Sequence, residues 1–455
     1  MMDALGKGSL YHALLTGAFG LACACANALP PETAAHDHDA RQLRSSAAFQ
    51  SMKEALARDY GRIVADIVAL TQIPAPPFQE AARAKAFADM LKATGLEDVT
   101  IDAEGNAYGV RRGTGEAPAV VIVAHLDTVF PEGTDVTVKR DGNTLRAPGI
   151  ADDTCSLAVL LAFKRAMDAA RVRTRSDIIF MGSVGEEGEG NLRGMRYLFT
   201  KSPLKDKIGC LIAFEPGATG RIFNAGVGSK RYRITFKGPG GHSSADFGMV
   251  NPAYALGNAI TAIGKITVPV QPRTTYNVGI IDGGTSVNSI PHAAMMEIDL
   301  RSREQESLAK VEKAILAIPR VAADEENRRG SNIKGGITYD IRLIGDRPMG
   351  RVANSADIVL AAAAAIRAAD IEPKLVMGST DANLPMSLGI AAIALESGLT
   401  GVRSHSLEES LTLDSDKDLG YMSIALATVL RVAGWHHEPP MGSEPTVDQK
   451  AIGVQ

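Results

Sequence analysis

The chain has 455 residues, enough for more than one domain. Apolar residues make up 45% and charged residues 22%, the balance of an ordinary soluble globular protein. A formal net charge of −4 gives no electrostatic basis for nucleic acid or an anionic membrane as partner.

Residues 1–28 begin with a weak positive charge at Lys7 and run through small and apolar residues to Ala26-Asn27-Ala28. That order is expected of a secretory signal peptide, and hence of a periplasmic or secreted protein. The apolar run is short for a stable membrane span. Cys23 and Cys25 leave a lipid anchor as a minor alternative, without the Leu three residues earlier that a lipidation box carries. Residues 29–46, with Pro30-Pro31 and His36-Asp37-His38-Asp39, read as a polar linker. The polar stretch 437–455, with its Pro and Gly, reads as a flexible tail.

Between these ends, helical periodicity predicts helices over 52–70, 82–93, 157–170 and 355–369. Continuous apolar runs at 119–124, 177–182, 210–214 and 390–395 are expected of strands buried on both faces. Alternating strands and helices predict an α/β catalytic domain, 47–229 and 345–436, around a mostly parallel sheet flanked by helices. Residues 230–344 have a different order, β-α-β-β-α-β, and predict an inserted ferredoxin-like α+β domain. Cys155 and Cys210 fall at opposite ends of the sheet on this reading, which disfavours a disulfide.

The chemistry sits after the apolar strands. His125-Leu126-Asp127 comes after the first run, Glu186-Glu187 after the second, Glu215 after the third, and a loop with His405 after the fourth. Asp152-Asp153 precedes the 157–170 helix. In an open α/β sheet, ligands bind beyond the carboxyl ends of the strands. Imidazole and carboxylate donors suit Zn²⁺, with Co²⁺ or Mn²⁺ as alternatives, and one shared carboxylate allows two divalent metal ions. Each residue alone has an ordinary explanation: His125 as a core histidine, Asp152-Asp153 as a helix cap, Glu186-Glu187 as solvated charge. Their joint arrival at one sheet edge does not. The Gly-rich stretches 188–194 and 238–241 lack the phosphate-loop arrangement.

These segments resemble the M20 family of metallopeptidases. The resemblance rests on His125-Leu126-Asp127-Thr128-Val129, Gly149-Ile150-Ala151-Asp152-Asp153, Gly185-Glu186-Glu187-Gly188, Phe214-Glu215-Pro216, Gly240-Gly241-His242-Ser243, Gly283-Gly284-Thr285-Ser286-Val287-Asn288, Ser379-Thr380-Asp381-Ala382-Asn383, and His405 with Glu409 four residues on. It implies that His125 and Glu215 ligate one metal, Glu187 and His405 the other, and that Asp152 bridges them, joined to Asp153 by a cis peptide. It makes Glu186 the general base and Asp127 the residue that orients His125. It makes His242 an oxyanion donor to a neighbouring subunit, so that the inserted domain is lid and dimer interface of a homodimer. Asn288 and Arg347 are then contacts to the substrate. Thr154-Cys155-Ser156 depart from the Lys-Gly that often comes after the Asp pair.

The expected activity is exopeptidase hydrolysis of a small peptide, with Ser379–Asn383 similar to the peptidase T-like branch. An N-acyl-amino-acid deacylase, taking an acylated amino acid, or a carboxypeptidase fits the same scaffold. A non-catalytic periplasmic peptide-binding protein would be expected to lack a ligand or the base, and none is missing.

Overall fold

The structure is a computed structural model and describes residues 33–436. The signal-peptide stretch 1–28 and the tail 437–455 lie outside the described residues.

The main sheet is nine-stranded. At its centre Ser176–Ser183, Ala117–His125, Ile208–Glu215 and Ala391–Glu396 run parallel in that spatial order. Antiparallel pairs flank them on both sides: Ala107–Arg111 beside Ser176–Ser183, and Arg221–Gly226 beside Ala391–Glu396. Val121, Ile122 and Val123 are fully buried, as expected of a strand covered on both faces. Helices Ala47–Thr71, Thr154–Ala169 and Ser415–Val432 contribute to the same core through Ile63, Leu161 and Leu426.

The linker expected at 29–46 is corrected by the structure. Residues 34–45 form a helix, Ala34–Ser45, with Ala40 and Leu43 buried. Its polar face is held by distant partners: Asp37 pairs with Arg367 at 2.5 Å and Asp39 with Arg431 at 2.9 Å. Few apolar residues suffice because ion pairs complete the docking.

The inserted unit has its own core, including Ile234, Phe236, Met296, Ile298 and Ile315. Its sheet has the order Thr274–Gly283, Ala293–Ser302, Gly228–Lys237, Thr338–Arg347, all antiparallel. Helices Pro252–Ile263 and Gln305–Arg329 pack on it. This is the expected ferredoxin-like order. Its second helix runs unbroken through Pro319 to Arg329. Its last strand runs beyond the expected boundary at 344 to Arg347.

A four-stranded sheet of short strands escapes the periodicity reading: Gly401–Val402, Ser410–Thr412, Thr144–Arg146 and Lys139–Asp141, in that order. Cys155 and Cys210 are free, as expected.

Leu43→Ala should lower the unfolding free energy by about 3 kcal/mol, the cost of truncating a fully buried leucine. Chemical denaturation of the purified protein measures it. An unchanged midpoint would mean that the helix does not dock.

Candidate metal centre

The carboxyl ends of the parallel strands deliver His125, the Glu186-Glu187 loop and Glu215 to one edge. The Asp152-Asp153 pair arrives from the N-terminal side of helix Thr154–Ala169, and the 152–153 peptide is cis, as the resemblance implies. His405 comes from the loop before Ser410–Thr412.

Asp152 lies between the two histidines. Its Oδ1 is 2.9 Å from His125 Nε2 and its Oδ2 is 3.2 Å from His405 Nε2. Glu187 Oε1 also meets His405 Nε2, at 2.7 Å. Donor atoms of Asp152, Glu187 and His405 all lie within 4.8 Å of one another, and so do those of His125, Asp153 and Glu215. His125, Glu186 and Glu187 form a third such group.

Main-chain hydrogen bonds fix these side chains. Glu409 accepts from the N–H groups of Gly149, Ala151 and Asp152, which sets the loop that carries Asp152. Gly149 has φ +76°, a conformation that glycine adopts without strain. Arg83, fully buried, donates to the carbonyls of Thr71, Ile73 and Leu126 and so anchors the His125–Asp127 turn.

Asp127 meets His125 Nδ1 through its backbone carbonyl at 2.9 Å, with its carboxylate Oδ1 3.8 Å from the same nitrogen. The carboxylate also accepts the N–H groups of Glu186 and Glu187. Thr154, where the family often has Lys, joins the local framework: its hydroxyl meets Thr71 and donates to the Gly149 and Ile150 carbonyls.

Two acidic groups were not singled out from sequence. Asp153 is fully buried, accepts the His125 N–H through Oδ2, and leaves Oδ1 without a hydrogen-bond partner. It stands at the helix N-cap without a side-chain capping bond. Asp381, also buried, accepts from the Ser183 hydroxyl, and its Oδ1 is unpartnered. The signals were the second Asp of the pair and the Asp within Ser379–Asn383.

Burial pushes the Glu186 carboxyl up to about 8, against the opposing Arg347 charge, and Asp381 up to about 6. Burial also raises Asp153 and Glu215 well above the carboxylate range. His405 is raised to about 10, first by its hydrogen bond to Asp152 and then by that to Glu187. Burial opposes charge on His125, but the hydrogen bond to Asp152 and the surrounding aspartates prevail and raise it.

The donor set fits two divalent cations. Asp127, Asp152, Asp153, Glu186, Glu187, Glu215 and Asp381 crowd one largely buried region, with Arg347 the permanent cation in contact with Glu186. Concentrated buried negative charge is costly unless compensated, and carboxylate and imidazole donors are those of such ions.

Of the other expected site residues, Arg347 is brought in and His242 and Asn288 are not. Arg347 is 5% exposed. It donates to Glu186 Oε1 and Ser379 Oγ, at 2.7 and 2.8 Å, and to the Glu186 carbonyl. The structure thus engages it with Glu186 and Ser379. His242 and Asn288 are exposed together on the inserted domain, where His242 pairs in register with Ser289 and the Asn288 carbonyl accepts from Ser243 N–H. Among the described residues neither has a hydrogen bond or ion pair to the metal cluster.

Because Glu409 holds the Asp152 loop, Glu409→Ala should weaken metal binding by about tenfold or more. Metal titration of the apoprotein measures this. Unchanged affinity would contradict the positioning role.

The dimerisation-domain model of M20 peptidases matches residues 224–327, across the inserted domain. The Peptidase family M28 model matches residues 106–233, in the catalytic part. A probable carboxypeptidase of Aspergillus flavus is 27% identical over 202 residues, 40% of this chain and 46% of that protein. The match thus spans less than half the length of that curated relative. The aminopeptidase PepT of Bacillus cereus has the same fold, with a TM-score of 0.62 at 20% identity, over 82% of this chain and 98% of that one. The YXEP protein of Bacillus subtilis, described as a dinuclear metal-binding peptidase, gives 0.55 at 18% identity over 82% and 99%. The dimerisation-domain match over residues 224–327, the α/β unit and the donor cluster at the sheet edge together support an M20 family metallopeptidase.

Proposed function

We propose that this protein is a dinuclear metal-dependent exopeptidase of small peptides, with an aminopeptidase of the PepT kind favoured. The observation that carries the reading is the Asp152 carboxylate, whose two oxygens face His125 and His405 separately. That arrangement supports Asp152 as a bridge, with His125 and Glu215 holding one ion and Glu187 and His405 the other. Asp153, grouped with His125 and Glu215, is a further candidate donor on that side. Zinc is the proposed metal. When bound, two such ions lower the pKa of water and polarise a carbonyl.

Glu186 takes the proton of the attacking water as the carbon–oxygen bond forms. It passes that proton to the amide nitrogen as the carbon–nitrogen bond breaks, leaving a carboxylic acid and an amine, which ionise to carboxylate and ammonium. Burial raises its affinity for that proton, and Arg347 fixes its direction. His242 and Asn288 enter this reading through a second copy. The exposed apolar residues Ile280 and Ile281 on the edge strand of the inserted sheet, with Phe247 and Val287, support pairing there. Hydrolysis of an N-acyl-amino acid or of a C-terminal residue uses the same chemistry and differs in what the lid recognises.

Among the described residues no helix is long and apolar enough to cross a membrane. Export is proposed from residues 1–28; an N-terminus at Met1 in the protein isolated from its own cells would contradict it.

Glu186→Gln should retain bound metal and lose at least about 10²-fold in kcat, the usual contribution of a general base. Asp152→Ala should lose metal as well as turnover. Elemental analysis beside peptide kinetics separates the two. Normal turnover by Glu186→Gln would overturn the assignment. Mass spectrometry of a tripeptide of three different residues reads the end attacked: loss of the first residue supports the aminopeptidase, and loss of the last makes it a carboxypeptidase.

A further inference from the structure

A cavity of about 660 Å³ lies against the small four-stranded sheet. One wall holds Arg403 and Leu407, each two residues from His405, and another holds Ala147 and Pro148, which lead into the Asp152 loop. The cavity thus lies between the chain segments that carry His405 and Asp152. The Glu409 residue that positions Asp152 also accepts the Ala147 N–H through its carbonyl, tying both walls together.

The charges in the lining are unevenly matched. Asp135 accepts the N–H of Thr137, and Glu408 pairs with Arg403. Lys139 lies in the field of Asp135, and neither Lys139 nor Arg146 has a direct ion pair or side-chain hydrogen bond among the described residues. They are directly opposite in the antiparallel register, Lys139 to Arg146, so their side chains share a face. Like charges directly opposite destabilise a strand pair. With three cations, Lys139, Arg146 and Arg403, against two carboxylates, Asp135 and Glu408, the lining keeps a net positive charge that an anion between Lys139 and Arg146 would offset.

We propose that Lys139 and Arg146 form a subsite for a carboxylate on the substrate, making this an enzyme for peptides with an acidic residue beside the scissile bond. A guanidinium and an ammonium together satisfy both carboxylate oxygens. The inference rests on the hydrolase reading above. It adds the substrate class.

The test compares zinc-loaded full-length enzyme on Asp-Ala-Ala and Ala-Ala-Asp with Asn-Ala-Ala and Ala-Ala-Asn. One aspartyl peptide should exceed its asparaginyl counterpart in kcat/KM by about tenfold, the value of one charge-assisted hydrogen bond. The Lys139→Gln/Arg146→Gln double variant should bring that ratio close to one, chiefly through KM. Equal use of both peptides by the wild type, or an unchanged ratio in the variant, overturns the proposal. Should no peptide be cleaved, the hydrolase reading falls separately, and calorimetry with glutarate decides the subsite. Glutarate bound by the wild type and lost in the double variant upholds it; equal binding to both, or binding to neither, overturns it.

Discussion

The division of one carboxylate between two imidazoles organises this protein. Asp152 presents one oxygen to His125 and the other to His405, residues 280 positions apart in the chain. Everything around it multiplies negative charge. Asp153, Glu186, Glu187 and Glu215 come from separate strand ends and loops into the same region, and burial alone would drive several of them to their neutral forms. Such a cluster is tolerable only with compensating positive charge, and the fold supplies few permanent cations there. The site is built for cations from outside.

The surrounding framework uses main-chain hydrogen bonds where added side-chain charge would compete for metal. Asp127 spends its carboxylate on the N–H groups of Glu186 and Glu187, and Glu409 on those of Gly149, Ala151 and Asp152. Arg83 satisfies main-chain carbonyls on the other side of the His125 turn. Each loop carrying a donor is thereby fixed to the α/β unit. The exception is Arg347, which ends the last strand of the inserted domain and grips Glu186. Arg231 of the same sheet donates to the Gly188 carbonyl, 2.5 Å away. The inserted domain is thus in contact with the loop that carries the proposed base, so a movement of one is felt by the other.

The parallel sheet and its donor residues were legible because covered strands read as unbroken apolar runs, and the residues at their carboxyl ends gather at one edge. The inserted domain was legible from its order of elements. The features that escaped depended on contacts distant in sequence. The Ala34–Ser45 helix reads as a polar linker until Arg367 and Arg431 are seen to pair with it. The helix through Pro319 loses its apolar period just where Ala322, Ala323 and Glu326 remain packed. The short strands at 139–141 and 144–146 are too brief to show alternation, which hid the facing pair Lys139 and Arg146. Asp153 and Asp381 were visible as motif letters. Their unpartnered buried oxygens are facts of three-dimensional packing. Arg347 was drawn to the site by resemblance, but its grip on Glu186 has no sequence signature.

Anomalous diffraction at the zinc edge from crystals of the zinc-loaded protein tests the central claim most directly. The account predicts two peaks about 3.5–4 Å apart, with the Asp152 carboxylate between them, one beside His125 and Glu215 and the other beside Glu187 and His405. A single peak, or peaks away from these residues, would contradict it.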